Sequence, residues 1–330
     1  MKYGMPYMGS KNAIAEWVVQ HIPNCDDVYD LFGGGGAISH CLTLSKRFKT
    51  VHYNELNSII YKGFKMAING EFKDEKRWIS REDFFKLKNN DPYVAICFSF
   101  GNALRTYAYK AEIEPIKKAF HYAICFDDYS LLDQYLNEYK VRLKETEIFN
   151  RRLELQRYLT KLYKQIKQNS LIFNDIQKLY KGTCTNGNNV RAIAQNIEGL
   201  ERIQNFETKN NIDFSNNNYL DIKIKKNSII YCDPPYYDPK GYNTRYKYGE
   251  KYIDFNHLEF FKWCLNQENL VIISNYCMPN DFICIDEIKK SVSMSDHTGS
   301  NGAEKSNSEK LYIPKHQKDL YYEKLYEDDW

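Results

Sequence analysis

Residues 27–36 read Asp-Val-Tyr-Asp-Leu-Phe-Gly-Gly-Gly-Gly, a strand-like stretch that empties into four consecutive glycines. Ala37–Leu44 follows with apolar residues at helical spacing. Few folds accept that order, because the turn has to end a buried strand and start a helix with no side chains between them. Val51–Glu55 reads as a second strand and Ser58–Ile68 as a second helix. Far along the chain, Ser228–Cys232 and Leu270–Ser274 are apolar and strand-like, separated by the helical pattern of Phe255–Asn266. Strands alternating with helices imply an α/β fold built on a doubly wound, mostly parallel sheet.

Glycine lets backbone approach a ligand closely, and a helix N-terminus favours negative groups, so the Gly33–Gly36 turn is a candidate ligand loop. Its ligand is constrained by what is missing. The dinucleotide pattern GxGxxG, started at Gly34 and Gly36, needs a third glycine at position 39, which is Ser39. No GxxxxGK[ST] occurs either, which removes a phosphate-cradling P-loop. Glu55 lies 21 residues past Gly34, at the end of the second strand, where an acid can accept hydrogen bonds from both ribose hydroxyls. An adenosyl cofactor without a pyrophosphate, S-adenosylmethionine, fits this better than a nicotinamide dinucleotide.

The strand Ser228–Cys232 delivers Asp233-Pro234-Pro235-Tyr236 to its C-terminal end, where open α/β sheets bind ligands. Two prolines stiffen the loop. A stiff loop can aim the Asp233 carboxylate and the Pro234 carbonyl at one point, and two acceptors at one point can hold both hydrogens of an exocyclic amine. Tyr236 offers a flat surface for a base. Accepting both protons of an adenine N6 amine frees a lone pair otherwise conjugated with the ring. The nitrogen can then attack a sulfonium methyl in line, with proximity supplying much of the acceleration. Asp233 or water takes the surplus proton afterwards.

Taken together and in this order, these motifs resemble the Dam-like family of adenine-N6 DNA methyltransferases over roughly 1–70 and 195–320. The resemblance implies a class I methyltransferase-like, Rossmann-related sheet and S-adenosylmethionine as donor. Tyr7-Met8-Gly9-Ser10-Lys11 is similar to the family's N-terminal cofactor element, which implies that Tyr7 and Lys11 contact the cofactor. Asp30, Phe32, Gly34 and Gly36 match its glycine loop, Glu55 its second-strand acid, and Asp233 through Tyr236 its DPPY element. Asn218-Tyr219-Leu220-Asp221 resembles a segment that helps hold the adenine, through either Asn218 or Asp221. Ser274-Asn275-Tyr276 and Glu309-Lys310-Leu311-Tyr312 resemble later family segments, and neither is assigned a catalytic duty.

The middle of the chain differs from its ends. Between Pro115 and Gly182 lie 66 residues without Gly or Pro, a composition that favours long amphipathic helices. Residues 138–178 carry a net charge of +5, whereas the whole chain carries +3 and 319–329 carries −4. Residues 76–195 therefore read as a mainly helical insertion between the catalytic segments 1–75 and 196–330. The resemblance implies that the insertion reads a target sequence in double-stranded DNA from which the adenine is flipped. Arg105, close to Ser99–Asn102, Tyr107 and Tyr109 at an apparent strand end, is a candidate for base contact, and Thr183–Arg191 is a second. Tyr237–Tyr248 is a basic, aromatic loop expected to close over the flipped base or the backbone, with Lys240 and Arg245 as phosphate partners.

Other classes fall away. No apolar run approaches the ~18 residues of a membrane helix, Val94–Phe98 being only strand-length. Nine cysteines without a CxxC pair argue for reduced, intracellular thiols, and no metal site is expected; the resemblance implies the cytoplasm of a bacterial or phage-infected cell. The histidines are scattered and carry no assigned chemistry. A monomer is expected, with a cognate restriction endonuclease, if there is one, acting as a separate protein. The nearest rival activities are methylation of cytosine N4 or of adenine in RNA; a non-catalytic DNA-binding protein of the same fold is the rival from another class.

Overall fold

A buried strand shows a period of two in its side chains, and the central strands of this chain show it on both faces. The computed structural model describes residues 3–136, 139–166, 195–207, 211–237, 243–248, 251–289 and 308–326. The described chain forms two compact units: Met1–Gly4, Ser10–Tyr61 and Glu207–Trp330 make the first, Met5–Gly9 and Lys62–Phe206 the second. The insertion read from the sequence as 76–195 lies inside the second unit, which begins earlier and ends later.

The first unit opens with α1 (Ala15–Gln20), β1 (Asp27–Asp30), α2 (Ala37–Ser45) and β2 (Thr50–Asn54), after which α3 (Ser58–Ile68) carries the chain into the second unit. There follow α4 (Arg81–Leu87), α5 (Pro92–Cys97), α6 (Glu114–Phe126), α7 (Ser130–Tyr135), α8 (Ile148–Ile166) and α9 (Gln195–Gln204). The chain returns to the first unit with β3 (Ile212–Ser215), β4 (Ile229–Cys232), β5 (Asn243–Tyr248) and β6 (Lys251–Asn256). It ends with α10 (His257–Leu265), β7 (Leu270–Asn275), β8 (Phe282–Lys289), β9 (Ser308–Pro314) and α11 (Lys318–Tyr326).

Seven strands form one sheet in the order β3-β2-β1-β4-β7-β9-β8. The first five are mutually parallel, and β9 runs antiparallel to both β7 and β8. The expected doubly wound, mostly parallel sheet is therefore present. Ile229 and Tyr231 of β4, with Leu270 and Ile272 of β7, pack with α1, α2 and Tyr321 of α11. Ile230, Cys232, Val271 and Ile273 pack on the other face with Phe260, Phe261 and Cys264 of α10. Burying both faces, at roughly 1.5–3 kcal/mol per large apolar side chain, explains why these strands read as continuous apolar runs. The strand order reverses between β1 and β4, so the crevice beyond their C-terminal ends is the switch point at which such sheets bind ligands.

The named elements described in the second unit are helices joined by irregular segments. In α6, Ile116, Ala119, Phe120, Ala123 and Ile124 form one stripe, which packs with Leu155, Leu159 and Leu162 of α8 and Ile197 of α9. Arg151 of α8 donates to the carbonyls of Ala123 at 2.6 Å and Ile124 at 2.8 Å, satisfying acceptors at the end of α6. Part of the basic excess is thus structural: Arg151 and Arg152 are buried, whereas Lys140, Lys144, Arg157 and Lys161 are exposed.

Three sequence expectations need correction. Val94–Phe98 is not a strand: α5 occupies Pro92–Cys97, started by the Asp91 carboxylate accepting from the amides of Tyr93 and Val94, with Pro92 in the first turn. Tyr107 and Tyr109 are not available to DNA. Each is 4% exposed, with its hydroxyl donating to the Ile79 carbonyl and the Asn196 side chain respectively. The end of the Tyr237–Tyr248 loop is a strand, because 243–248 pairs antiparallel with β6 and sets Arg245 opposite Asp254. Its Tyr and Thr residues suit a pleated surface. Phe255 belongs to that ribbon, and α10 starts only where Asn256 caps it by accepting from the Glu259 amide at 3.1 Å. Thr183–Arg191 and Lys240 lie outside the described residues. Among the described residues no helix is long and apolar enough to cross a membrane.

The Asp91 cap makes the helical assignment testable. Replacing Asp91 with Ala should cost about 1 kcal/mol of unfolding free energy in urea melts. An unchanged denaturation midpoint would contradict the cap.

Candidate active site

The turn after β1 is held open by its neighbours. Gly34 and Gly36 have φ of +49° and +74°, a region that side chains disfavour. A Cβ on Gly33 would lie 2.2 Å from the ring of Tyr53. That ring is fully buried and its hydroxyl donates to the Gly34 carbonyl at 2.7 Å, so it cannot retreat. Glu55, 6% exposed just beyond β2, accepts from the Gly34 amide at 2.8 Å with one oxygen and from the Asn57 amide at 2.7 Å with the other. Phe32 is half-buried and packs against Tyr219, Phe255 and Phe260, with centroids 5.2–5.8 Å away.

Asp30, the last residue of β1, is buried. Its Oδ2 accepts from the Ser39 hydroxyl at 2.7 Å, and its Oδ1 has no hydrogen-bond partner among the described residues. Burial pushes its pKa up to about 7 against the opposing bond from Ser39, and the charges of Asp233 and Glu55 add to the rise. A carboxyl that is buried, half satisfied and close to neutral is suited to a cationic ligand group.

Asp233 follows β4, which pairs Tyr231 with Asp30. Its carboxylate, 19% exposed, receives the Lys11 ammonium at 2.7 Å. Lys11, only 4% exposed, also donates to the Tyr236 hydroxyl and lies 3.3 Å from Glu309, which is fully buried at the start of β9. The Tyr236 hydroxyl in turn donates to Glu309 at 2.6 Å. Burial lowers the pKa of Lys11, but attraction to Asp233 and then Glu309 outweighs it, leaving the ammonium more firmly protonated than usual. The ring of Tyr236 meets that of Tyr276, which is 44% exposed, edge-on with centroids 4.2 Å apart. Pro234 is buried.

The structure brings Lys11, Asp233 and Tyr236 into direct contact and Asp30, Phe32, Gly34, Gly36 and Glu55 into one loop region of the same unit. Tyr7 and Arg105 belong to the second unit, each half-buried, and the Arg105 carbonyl accepts from Lys88 at 3.2 Å. Asn218 is exposed and caps the turn Tyr219–Asp221 by accepting from the Leu220 amide at 3.1 Å; Asp221 is exposed as well. For Arg245 only the backbone pairing is described. Sequence reading missed Glu309, Ser39, Tyr53 and Tyr276 as parts of the site. Ser39 had a signal, one helical turn after Gly36, and so did Glu309, an acid in an apolar strand.

The raised pKa of Asp30 has a stability consequence. A carboxyl raised from its ordinary 3.8 to about 7 binds its proton more tightly in the folded state, so stability falls as pH rises between those values and is level above. Asp30→Asn should flatten that slope, leaving the variant more stable than the parent at pH 8 by up to roughly 4 kcal/mol. Equal pH dependence of the two unfolding midpoints would refute the assignment.

No match was found among curated proteins. A family model for the D12 class N6 adenine-specific DNA methyltransferase matches residues 7–298, most of the chain and all the described site residues except Glu309. The order of the glycine turn and the Asp-Pro-Pro-Tyr loop on adjacent parallel strands agrees with that match. The chain belongs to the D12 class of N6 adenine-specific DNA methyltransferases, enzymes that methylate adenine N6 in DNA.

Proposed function

We propose that the crevice beyond β1, β2 and β4 binds S-adenosylmethionine and presents its methyl group to an adenine flipped out of double-stranded DNA. The observation that carries this reading is the pairing of two unlike carboxyls at the switch point. Asp30 is buried with one oxygen unmatched among the described residues, and Asp233 is partly open and paired with Lys11. The residues present fit the donor. Asp30 offers a buried acceptor to a cation, the Gly33–Gly36 turn presents bare backbone, and the Glu55 carboxylate stands beside it as an acceptor for ribose hydroxyls. When bound, S-adenosylmethionine supplies an electrophilic methyl on a positively charged sulfur.

The chain's own residues do the rest. Lys11 donates to Oδ1 of Asp233, and the same carboxylate accepts from the N6 amine. The Pro234 carbonyl, stiffened by Pro235, takes the second amine hydrogen. Tyr236, held at its hydroxyl by Lys11 and Glu309, gives the base a fixed ring to lie against. Asp233 stabilises positive charge on the amine during transfer and accepts the surplus proton afterwards. Flipping the base costs a few kcal/mol, offset by stacking and by these hydrogen bonds. Arg105, Asn218, Lys240 and Arg245 are our candidates for DNA contact, and the second unit for reading the target sequence. Exposed Lys140, Lys144, Arg157 and Lys161 support a phosphate-facing surface there.

Labelled S-adenosylmethionine and unmethylated duplex DNA, digested to nucleosides, test the reading. Label is expected in N6-methyladenine, and label in N4-methylcytosine, or none at all, would overturn it. Asp233→Asn should lower turnover by about 10²- to 10³-fold with donor binding retained. Full activity in that variant would remove Asp233 from the mechanism.

A further inference from the structure

Glu309 stands in a strand whose other inward residues, Leu311 and Ile313, are apolar and fully buried. Its own carboxylate is fully buried too. A buried carboxylate is tolerated only with strong partners, and among its partners here are two residues of the methyl-transfer site. Tyr236 donates to Oε1 at 2.6 Å, and the Lys11 ammonium lies 3.3 Å from the same oxygen. The antiparallel direction of β9 makes this possible. Pairing Asn275 with Lys310 sets the beginning of β9 beside the C-terminal end of β7, the edge at which β4 delivers Asp233.

We propose that Glu309 is a positioning residue for methyl transfer: acting through Lys11 and Tyr236, it keeps Asp233 a strong acceptor and fixes the plane of the Tyr236 ring. The inference rests on the reading of Asp233 given above. One ammonium shared between two carboxylates leaves the cluster with a net negative charge, next to where the amine nitrogen becomes positive. Without the Glu309 charge the ammonium would bear on Asp233 alone and weaken it as an acceptor. The Tyr236 hydroxyl both accepts from Lys11 and donates to Glu309, so its orientation is determined at two points. Burial, with the adjacent carboxylates, raises the pKa of that hydroxyl far above the ordinary tyrosine value, so it remains a donor across the working range. The edge-on contact with Tyr276 limits the ring from a further side.

Glu309→Gln in the full chain removes the charge and keeps the shape. Turnover should fall about 10- to 100-fold, the loss of a hydrogen bond to a charged group, while KM for S-adenosylmethionine and for DNA stays within about threefold. Tyr236→Phe cuts the same contact from the other side without placing an amide in the core. Combined with Glu309→Gln, its effect should be clearly less than multiplicative, because both changes break one linkage. A merely structural role would instead lower the melting temperature, raise KM and give multiplicative losses. If Glu309→Gln does not fold, Tyr236→Phe carries the test alone, with reduced turnover at an unchanged melting temperature expected. Turnover within about twofold of the parent in the variant measured, or independent effects in the pair, would overturn the inference while leaving Asp233 in place. A parent enzyme that transfers no methyl to adenine would overturn the reading of the site and this inference with it.

Discussion

Lys11, Asp233 and Glu309 come from the N-terminal segment, the loop after β4 and the start of β9, and they meet around one ammonium that is 4% exposed. Taking such a charge out of water costs several kcal/mol, which only close, well-oriented opposite charges offset. The attraction of Asp233 at 2.7 Å, supplemented by Glu309, is sufficient to hold the ammonium above its ordinary pKa despite burial. Loss of Lys11 would leave two carboxylates without their shared ammonium, so the three segments must arrive together. A buried ion cluster is a weak source of stability, but it specifies which segments converge, here at the end of the sheet where chemistry is placed.

The other half of the crevice is built in the opposite sense. Around Asp30 there is no cation among the described partners, only the Ser39 hydroxyl and the charges of Asp233 and Glu55, which disfavour ionisation. One carboxyl is therefore paired in advance and the other is held near neutrality. On the proposed reading this asymmetry separates two tasks: Asp233 is ready for an incoming amine, while Asp30 gains a partner only when a cationic donor arrives. The glycine turn between them is shaped by Tyr53 and Glu55 of the β2 segment, so the cradle is rigid before anything binds.

Legibility of the chain followed the range of the interactions. Asp27–Phe32, the glycine turn and the Asp-Pro-Pro-Tyr loop were readable because strand pattern, backbone permissiveness and proline stiffness act over a few residues. Val94–Phe98 was misread because five apolar residues suit either element, and the decision lay with the Asp91–Pro92 start just upstream. Tyr107 and Tyr109 stand beside the candidate Arg105, but their hydroxyls find Ile79 and Asn196, the second of them 87 positions away. Other aromatic rings are used likewise in packing, Trp78 being stacked on Tyr109 with centroids 5.9 Å apart.

By itself the sequence determined the class of sheet, the turn and loop at its switch point, and the family reaction, since each is written in contiguous residues whose local geometry has few solutions. Tertiary structure alone decided the charge states and the partners. Only the pairing of β9 against β7 brings Glu309 to Lys11, and only burial against Asp233 and Glu55 raises Asp30. The reason is that hydration and Coulomb energies depend on what surrounds a group in space, and no local pattern records those surroundings.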